Sequence, residues 1–162
     1  MLCSSAEVFF FFDGAVEQWR IHNLRIRPTV LIADDHAAMI EAFRSLLEPE
    51  YQVVGSARDG RELVSLAKTI APDVVLVDLG LSYVDGAAAG ERVKQLLPDT
   101  KLVVVTMQDD LAVVKFLIEH WASAYVLKSS AATELTTAVQ EVLQGRVYLS
   151  SSIAQRLNRK QS

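Results

Sequence analysis

The sequence contains a single cysteine, Cys3, among its 162 residues. One cysteine cannot supply a disulfide framework or a cysteine-based metal site within the chain, so we expect a reducing cytosol as its compartment. No apolar stretch approaches the roughly 20 residues that a membrane-spanning helix needs. The formal net charge is −4, so the composition does not predict binding to nucleic acid. The phosphate-binding pattern G-x-x-x-x-G-K-[ST] is also missing, which argues against a nucleotide site of that kind.

With 51% hydrophobic and 22% charged residues, the sequence has the composition of an ordinary globular protein. The length suits one domain with one core. Near the N-terminus, the run Phe9–Phe12 is preceded by Glu7 and followed by Asp13 and Gly14. A signal peptide would need a basic segment and a longer apolar core. We therefore expect residues 1–27 to be an extension outside the domain.

From Thr29 onward, short apolar runs alternate with segments whose apolar residues recur at helical spacing. Strand–helix alternation of this kind predicts a parallel sheet with helices on both faces, joined by right-handed crossovers. The predicted fold is a three-layer, doubly wound α/β domain with five strands, flavodoxin-like in the order 2-1-3-4-5. Its bounds are 28–146, and residues 147–162 are expected to form a linker-like tail, with Ser150–Arg159 either a short helix or frayed. The predicted strands are Val30–Ala33, Tyr51–Val54, Val74–Val77, Leu102–Val105 and Ala124–Leu127.

Polar residues follow four of these runs: Asp34 and Asp35, then Asp78, Thr106 and Lys128. Because the strands of a parallel sheet all end on the same side, these side chains are expected to converge. Carboxylates packed together raise one another's pKa unless a cation lies among them. A hard divalent ion such as Mg²⁺ prefers oxygen ligands of this type. Each residue alone would be an ordinary strand terminator, but the combination predicts a functional site.

The chemistry that these groups support is phosphoryl transfer. A carboxylate such as that of Asp78 can attack phosphorus as a nucleophile. The reaction then needs mainly positioning and neutralisation of charge on the phosphoryl oxygens. The metal, the Lys128 ammonium and the Thr106 hydroxyl would each contact one of those oxygens.

Five stretches together resemble the receiver domain of two-component response regulators, and specifically the NarL/FixJ subfamily. The resemblance covers about three quarters of the chain, and GRVYLSSSIAQRL at its end is similar to the segment that leads toward a helix-turn-helix domain in that subfamily. The five stretches are VLIADDH at Val30–His36, VVGSARDG at Val53–Gly60, PDVVLVDLGL at Pro72–Leu81, VVVTMQDD at Val103–Asp110 and AYVLKSS at Ala124–Ser130.

The resemblance implies a role for each matching position. Asp78 corresponds to the phosphoacceptor, and Asp34 and Asp35 correspond to the acidic pair that holds Mg²⁺ together with Asp78. The backbone carbonyl of Gly80 corresponds to the remaining protein ligand of the metal. Thr106 and Lys128 correspond to the residues that contact the phosphoryl group. Tyr125 corresponds to the aromatic switch that turns inward when Thr106 moves toward the phosphate.

The sequence departs from the family pattern at several positions. Ser82 stands where the loop after the acceptor usually has proline, and Ala37 replaces a proline after the acidic pair. Trp121 and Ala124 replace two residues that are commonly glycine. None of these changes removes a reactive group. After Leu157 only residues 158–162 remain, so we expect no DNA-binding domain and no contact with nucleic acid through this chain.

The resemblance also implies partners. A histidine kinase would donate the phosphoryl group, and a surface made by the fourth helix, the fifth strand and the fifth helix would bind a second copy. Transcription would be the output of a full-length regulator. We predict a cytoplasmic protein that is not an enzyme.

Two alternatives stay open: a receiver-like dimerisation module that is never phosphorylated, and an aspartyl-phosphate hydrolase. The hydrolase pattern has a second aspartate two residues after the first, where this chain has Gly80.

Overall fold

The computed structural model describes residues 27–82 and 85–159. The extension predicted at 1–27 therefore lies outside the described residues, except for Arg27, as do residues 160–162 of the predicted tail. In the described part of the chain, no helix is long and apolar enough to cross a membrane.

Strands and helices alternate along the described residues as the sequence predicts. A 3₁₀ turn, Lys128–Ser130, follows the fifth strand. The strands are β1 (Thr29–Ala33), β2 (Gln52–Ala57), β3 (Val74–Val77), β4 (Lys101–Thr106), β5 (Ala124–Leu127) and β6 (Tyr148–Leu149). The helices are α1 (Ala37–Leu47), α2 (Gly60–Ile70), α3 (Gly86–Leu96), α4 (Leu111–His120), α5 (Ala131–Leu143) and α6 (Ser151–Arg159).

All strand pairs are parallel, and the sheet order is β2-β1-β3-β4-β5-β6. The predicted flavodoxin-like order of the first five strands is confirmed. The predicted number of strands is wrong by one, because β6 pairs with Ala124 and Tyr125 at the edge of the sheet. A strand of two residues is too short to show a run or an alternation in the sequence, so the pattern gave no sign of it.

The sheet lies between two apolar layers. Residues of α1 and α5, such as Phe43 and Leu135, pack on one face, while residues of α2, α3 and α4 pack on the other. Along β1 the side chains alternate between the two layers: Leu31 faces the second layer and Ile32 the first. Apolar residues on both faces of the central strands are the pattern of a buried parallel sheet.

The segment expected to be a linker-like tail contributes β6 and α6 to the packed structure. Ile153 of α6 is fully buried in the layer that contains Tyr125 and Leu117. The Ser150 hydroxyl donates to Glu134 of α5 at 2.6 Å and accepts from the backbone N–H of Leu127. These contacts hold the start of α6 against β5 and α5, so the helical alternative for this segment is the one observed.

Two glycines in α3 allow close approaches that a side chain would prevent. A Cβ atom at Gly86 would lie 2.0 Å from the carbonyl oxygen of Asp78. At Gly90, a Cβ would lie 2.5 Å from the ring of Trp121, which is buried against α3. The first contact sets the start of α3 directly against the strand end that carries Asp78.

Candidate functional site

The carboxyl ends of β1, β3, β4 and β5 carry the residues predicted from the sequence. Asp34 directly follows β1 and Asp78 directly follows β3, while Thr106 ends β4 and Lys128 follows β5. Backbone hydrogen bonds continue the sheet past these ends: Asp34 N–H donates to Ala57 O, and Asp78 N–H donates to Ala33 O. The acidic side chains are therefore placed by the rigid sheet and not by a free loop.

Asp34, Asp78 and Lys128 form a buried charged cluster. The Lys128 ammonium donates a hydrogen bond to Asp78 Oδ2 at 2.8 Å and lies 2.6 Å from Asp34 Oδ2. The side chains of Lys128 and Asp78 are each only 9% exposed, and that of Asp34 is 1% exposed. One cation thus bridges two carboxylates that come from different strands, in a place where neither acid could remain unpaired at low cost.

The pKa of Lys128 is raised above its ordinary value. Burial on its own lowers this pKa, but the contacts with the carboxylates of Asp34 and Asp78 outweigh that effect. The side chain therefore stays a cation at neutral pH, as a group that neutralises phosphoryl charge must.

Asp35 and His36 lie at the outer side of this cluster. Asp35 Oδ1 is 2.7 Å from His36 Nδ1, and the same ring nitrogen is 3.2 Å from Asp34 Oδ1. The backbone N–H of His36 also donates to Asp34 Oδ1 at 2.9 Å. From the sequence, His36 is interpreted as a loop residue at a helix start and not as a phospho-carrier or metal ligand; in the structure it occupies the N-cap position of α1.

Two residues of the loop after β3 contact the acids. Gly80 N–H donates to Asp78 Oδ1 at 3.1 Å, which fixes one carboxylate oxygen. The Ser82 hydroxyl donates to Asp35 Oδ2 at 3.2 Å. Neither hydrogen bond can be predicted from the sequence, since each depends on the path of the loop backbone.

The hydroxyl of Thr106 is buried and points into its own loop, where it accepts a hydrogen bond from the backbone N–H of Gln108 at 3.3 Å. The Tyr125 phenol donates to the carbonyl of the same residue, Gln108, at 3.0 Å. Thr106 and Tyr125, the two residues predicted as a switch, are therefore both bound to the backbone of Gln108, one to its N–H and the other to its carbonyl.

Tyr125 is fully buried, and burial raises the pKa of its phenol to about 12, with smaller contributions from the negative charges of Asp109, Asp110 and Asp78. The phenol is therefore a neutral hydrogen-bond donor over the physiological range. Its position is defined by this hydrogen bond as well as by packing.

The acidic cluster fits a hard divalent cation. Asp34, Asp35, His36 and Asp78 each offer a ligand atom, and these atoms lie within 4.8 Å of one another. Asp34 Oδ2 and Asp35 Oδ1 are both buried, and each lies beside a nitrogen: the Lys128 ammonium at 2.6 Å from the first and His36 Nδ1 at 2.7 Å from the second. Carboxylate oxygens gathered this closely are suited to a metal ion, and a mainly oxygen donor set favours Mg²⁺ over softer metals.

Sequence and structure comparisons identify similar proteins. The family model described as "Response regulator receiver domain" matches residues 30–140. The transcriptional regulatory protein LiaR of Bacillus subtilis (strain 168) is 37% identical over 127 residues, which cover 77% of this chain and 60% of LiaR. The chain spans 55% of another relative, the transcriptional regulatory protein DegU of Brevibacillus brevis, so it matches little more than half the length of these regulators.

Solved structures give the same result. A two-component response regulator of the LuxR family from Aurantimonas sp. SI85-9A1 has a TM-score of 0.79 and 33% identity, covering 83% of this chain and 98% of that one. A structure of two RcsB dimers bound to two parallel DNAs has a TM-score of 0.74 and 26% identity, covering 82% of this chain and 66% of that one.

Proposed function

The chain belongs to the response regulator receiver domain family, among relatives of the NarL/LuxR group, and from this premise we propose that Asp78 receives a phosphoryl group from a histidine kinase. The observation that carries the proposal is the Lys128 ammonium held between the carboxylates of Asp34 and Asp78. A buried arrangement of this kind costs desolvation energy, and a simple structural role would be served as well by apolar residues.

In the proposed transfer, an oxygen of the Asp78 carboxylate bonds to phosphorus while the phosphorus–nitrogen bond of the donor phosphohistidine breaks. The electron pair of that bond stays on the imidazole nitrogen. Lys128 then neutralises charge on the phosphoryl oxygens, which is the main demand of this reaction. Magnesium, when held by Asp34, Asp35, Asp78 and the carbonyl of Gly80, supplies further positive charge at the same oxygens.

We propose that the signal leaves the site through Gln108. When the Thr106 hydroxyl turns to donate to a phosphoryl oxygen, it gives up the hydrogen bond from Gln108 N–H. The Tyr125 phenol is anchored on the carbonyl of the same residue, so a shift of this loop changes the position that Tyr125 can hold. The two arrangements form a two-state element that phosphorylation biases.

The proposed output is the surface of α4, β5 and α5, and its proposed partner is a second copy of the chain. RcsB, a structural relative, has been solved as dimers on DNA. Control of transcription would belong to a longer regulator of the kind represented by LiaR. The cytoplasm, where histidine kinases present their phosphoryl groups, is the proposed location.

Acetyl phosphate with Mg²⁺ provides the test. We expect the unsubstituted chain to gain the mass of one phosphoryl group, and Asp78→Asn to gain none, because an amide cannot form the acyl phosphate. Asp99→Asn is the matched control, since Asp99 is exposed and lies outside the cluster. The adduct is measured by intact-mass spectrometry.

Other outcomes would contradict the proposal in distinguishable ways. Sustained release of phosphate without an adduct would indicate the hydrolase, and the absence of any reaction would indicate the unphosphorylated dimerisation module. An adduct that survives Asp78→Asn would place the acceptor at another residue.

A further inference from the structure

Ser82 is an exposed residue whose hydroxyl reaches the acidic pair. Its Oγ donates to Asp35 Oδ2 at 3.2 Å, across 47 positions of sequence. Asp35 is the most exposed of the three site acids, with 26% of its side chain accessible. It is also the acid that Lys128 does not contact, so the orientation of its carboxylate depends on other groups.

The backbone holds Ser82 in this position. Ser82 forms an isolated parallel β-bridge with Asp59, and the preceding residue, Leu81, is buried in the core. Asp59 is itself fixed, because its carboxylate caps α2 by accepting from Arg61 N–H and Glu62 N–H. The hydroxyl is therefore presented to Asp35 by an ordered part of the loop.

The two oxygens of Asp35 have different environments. Oδ2 accepts from Ser82, while Oδ1 is buried and lies 2.7 Å from His36 Nδ1. A hydrogen bond to one oxygen fixes the rotation of the carboxylate and so decides which oxygen faces the other acids. Groups that orient a metal ligand in this way tune the affinity for the metal.

We propose that Ser82 is a positioning residue for the metal: its hydroxyl holds the Asp35 carboxylate through Oδ2 and so limits the rotation of this metal ligand. This inference rests on the proposed function, in which these acids bind Mg²⁺. Proline, which the resemblance gives as the usual residue at this position, has no hydroxyl and cannot make this contact. At this position the chain has a hydroxyl that can bind Asp35, where the family pattern has a proline that restricts the backbone.

The affinity of the full chain for Mg²⁺ tests the inference, measured by isothermal titration without any phosphoryl donor. Loss of an outer-shell partner typically costs about 10- to 100-fold in metal affinity. Because Ser82 is exposed and water can replace part of its contact, we expect Ser82→Ala to weaken binding by about 5- to 10-fold, at or just below the low end of that range. Ser82→Thr keeps the hydroxyl and is expected to bind within about 2-fold of the unsubstituted chain.

Two further comparisons separate positioning from a general effect on the fold. Ser152→Ala, on the exposed face of α6, is the matched control and should leave the affinity unchanged. In an Asp35→Ala background, Ser82→Ala should cause no additional loss, because the carboxylate that it orients is absent.

The results that would overturn the inference differ from those that would overturn the proposed function. If the unsubstituted chain binds Mg²⁺ and Ser82→Ala binds it equally well, Ser82 does not position the ligand. The same conclusion follows if Ser82→Thr loses as much affinity as Ser82→Ala. If the unsubstituted chain binds no Mg²⁺, the proposed metal site is wrong, and this inference fails with it.

Discussion

At the scale of single residues, the surroundings of Tyr125 have a marked effect on the pKa of its phenol. It is buried, donates to Gln108 O, and has a pKa raised to about 12, first by burial and then by Asp109, Asp110 and Asp78. In the unfolded chain the same phenol would titrate near its ordinary value of about 10. The folded protein therefore holds this proton more tightly than the unfolded chain.

The sign of the pH effect follows from this difference. A raised folded-state pKa stabilises the folded protein fully below pH ~10, and the contribution is lost as the pH rises toward about 12. We expect the tyrosinate absorbance of the folded protein to include a component that titrates near pH 12 and is missing in Tyr125→Phe. Tyr148→Phe, in a half-buried tyrosine on β6, is the control and should keep that component. Its survival in Tyr125→Phe would contradict the assignment.

The residues that could be predicted from the sequence are those fixed by the sheet itself. Asp34, Asp78, Thr106 and Lys128 each follow or end an apolar run, and a parallel sheet brings such ends to one edge whatever the loops do. Gln108 and Ser82 act through contacts that depend on loop torsions, which no periodicity records. His36 directly follows the acidic pair, but the sequence alone does not show that its ring turns back to lie 2.7 Å from Asp35.

Helix α6 contacts the loop after β4, which contains Gln108, through one side chain. Arg156 Nη1 donates to the Asp109 carbonyl at 3.0 Å and to Asp109 Oδ2 at 2.9 Å. Asp109 directly follows Gln108, the residue that holds both Thr106 and Tyr125. The last helix of the described chain is therefore attached to the loop that the proposed switch would move.

We expect Arg156→Ala to loosen α6 with little effect on the whole domain. Both partners are substantially exposed, so the ion pair contributes at most about 1 kcal/mol to the free energy of unfolding. Hydrogen exchange of the α6 amides should accelerate, while exchange in the central strands should not change. Arg159→Ala, which removes an exposed arginine of the same helix, is the control. Equal acceleration in both variants would show that the Asp109 contact does not hold the helix.

The strands and helices differ in how clearly the sequence predicts them. The five long strands are apolar runs and were predicted within a few residues, whereas β6 has two residues and is defined only by its partner, β5. The sequence of Ser150–Arg159 is compatible with either a short helix or a frayed end. Its apolar positions, Ile153 and Leu157, become informative only when the surface that they cover is known.

At the scale of the whole molecule, the hydrophobic core includes residues after 146. Ile153 is completely buried in the same layer as residues of α2, α3 and α4. A tail that only connected two domains would bury no side chain to this degree. The stability of the domain should therefore depend on α6 as it depends on any other core helix.

We expect Ile153→Ala to lower the free energy of unfolding by about 2–5 kcal/mol, because it removes buried methyl groups and leaves a cavity. The measurement is equilibrium unfolding in urea, with an unchanged slope showing that the same surface is exposed. Val147→Ala is the control, since Val147 is 60% exposed and should change stability by less than ~0.5 kcal/mol. A negligible effect of Ile153→Ala would mean that α6 detaches readily from the domain in solution.

The contact between Gly90 and Trp121 couples the substitutions that are possible at two positions far apart in the sequence. The indole fills the space that any side chain at 90 would need, since a Cβ there would lie 2.5 Å from the ring. The order of change is therefore constrained: a larger residue at 90 becomes acceptable only after 121 has become smaller. Homologues that have lost the tryptophan are therefore the ones in which the glycine should have been released to vary.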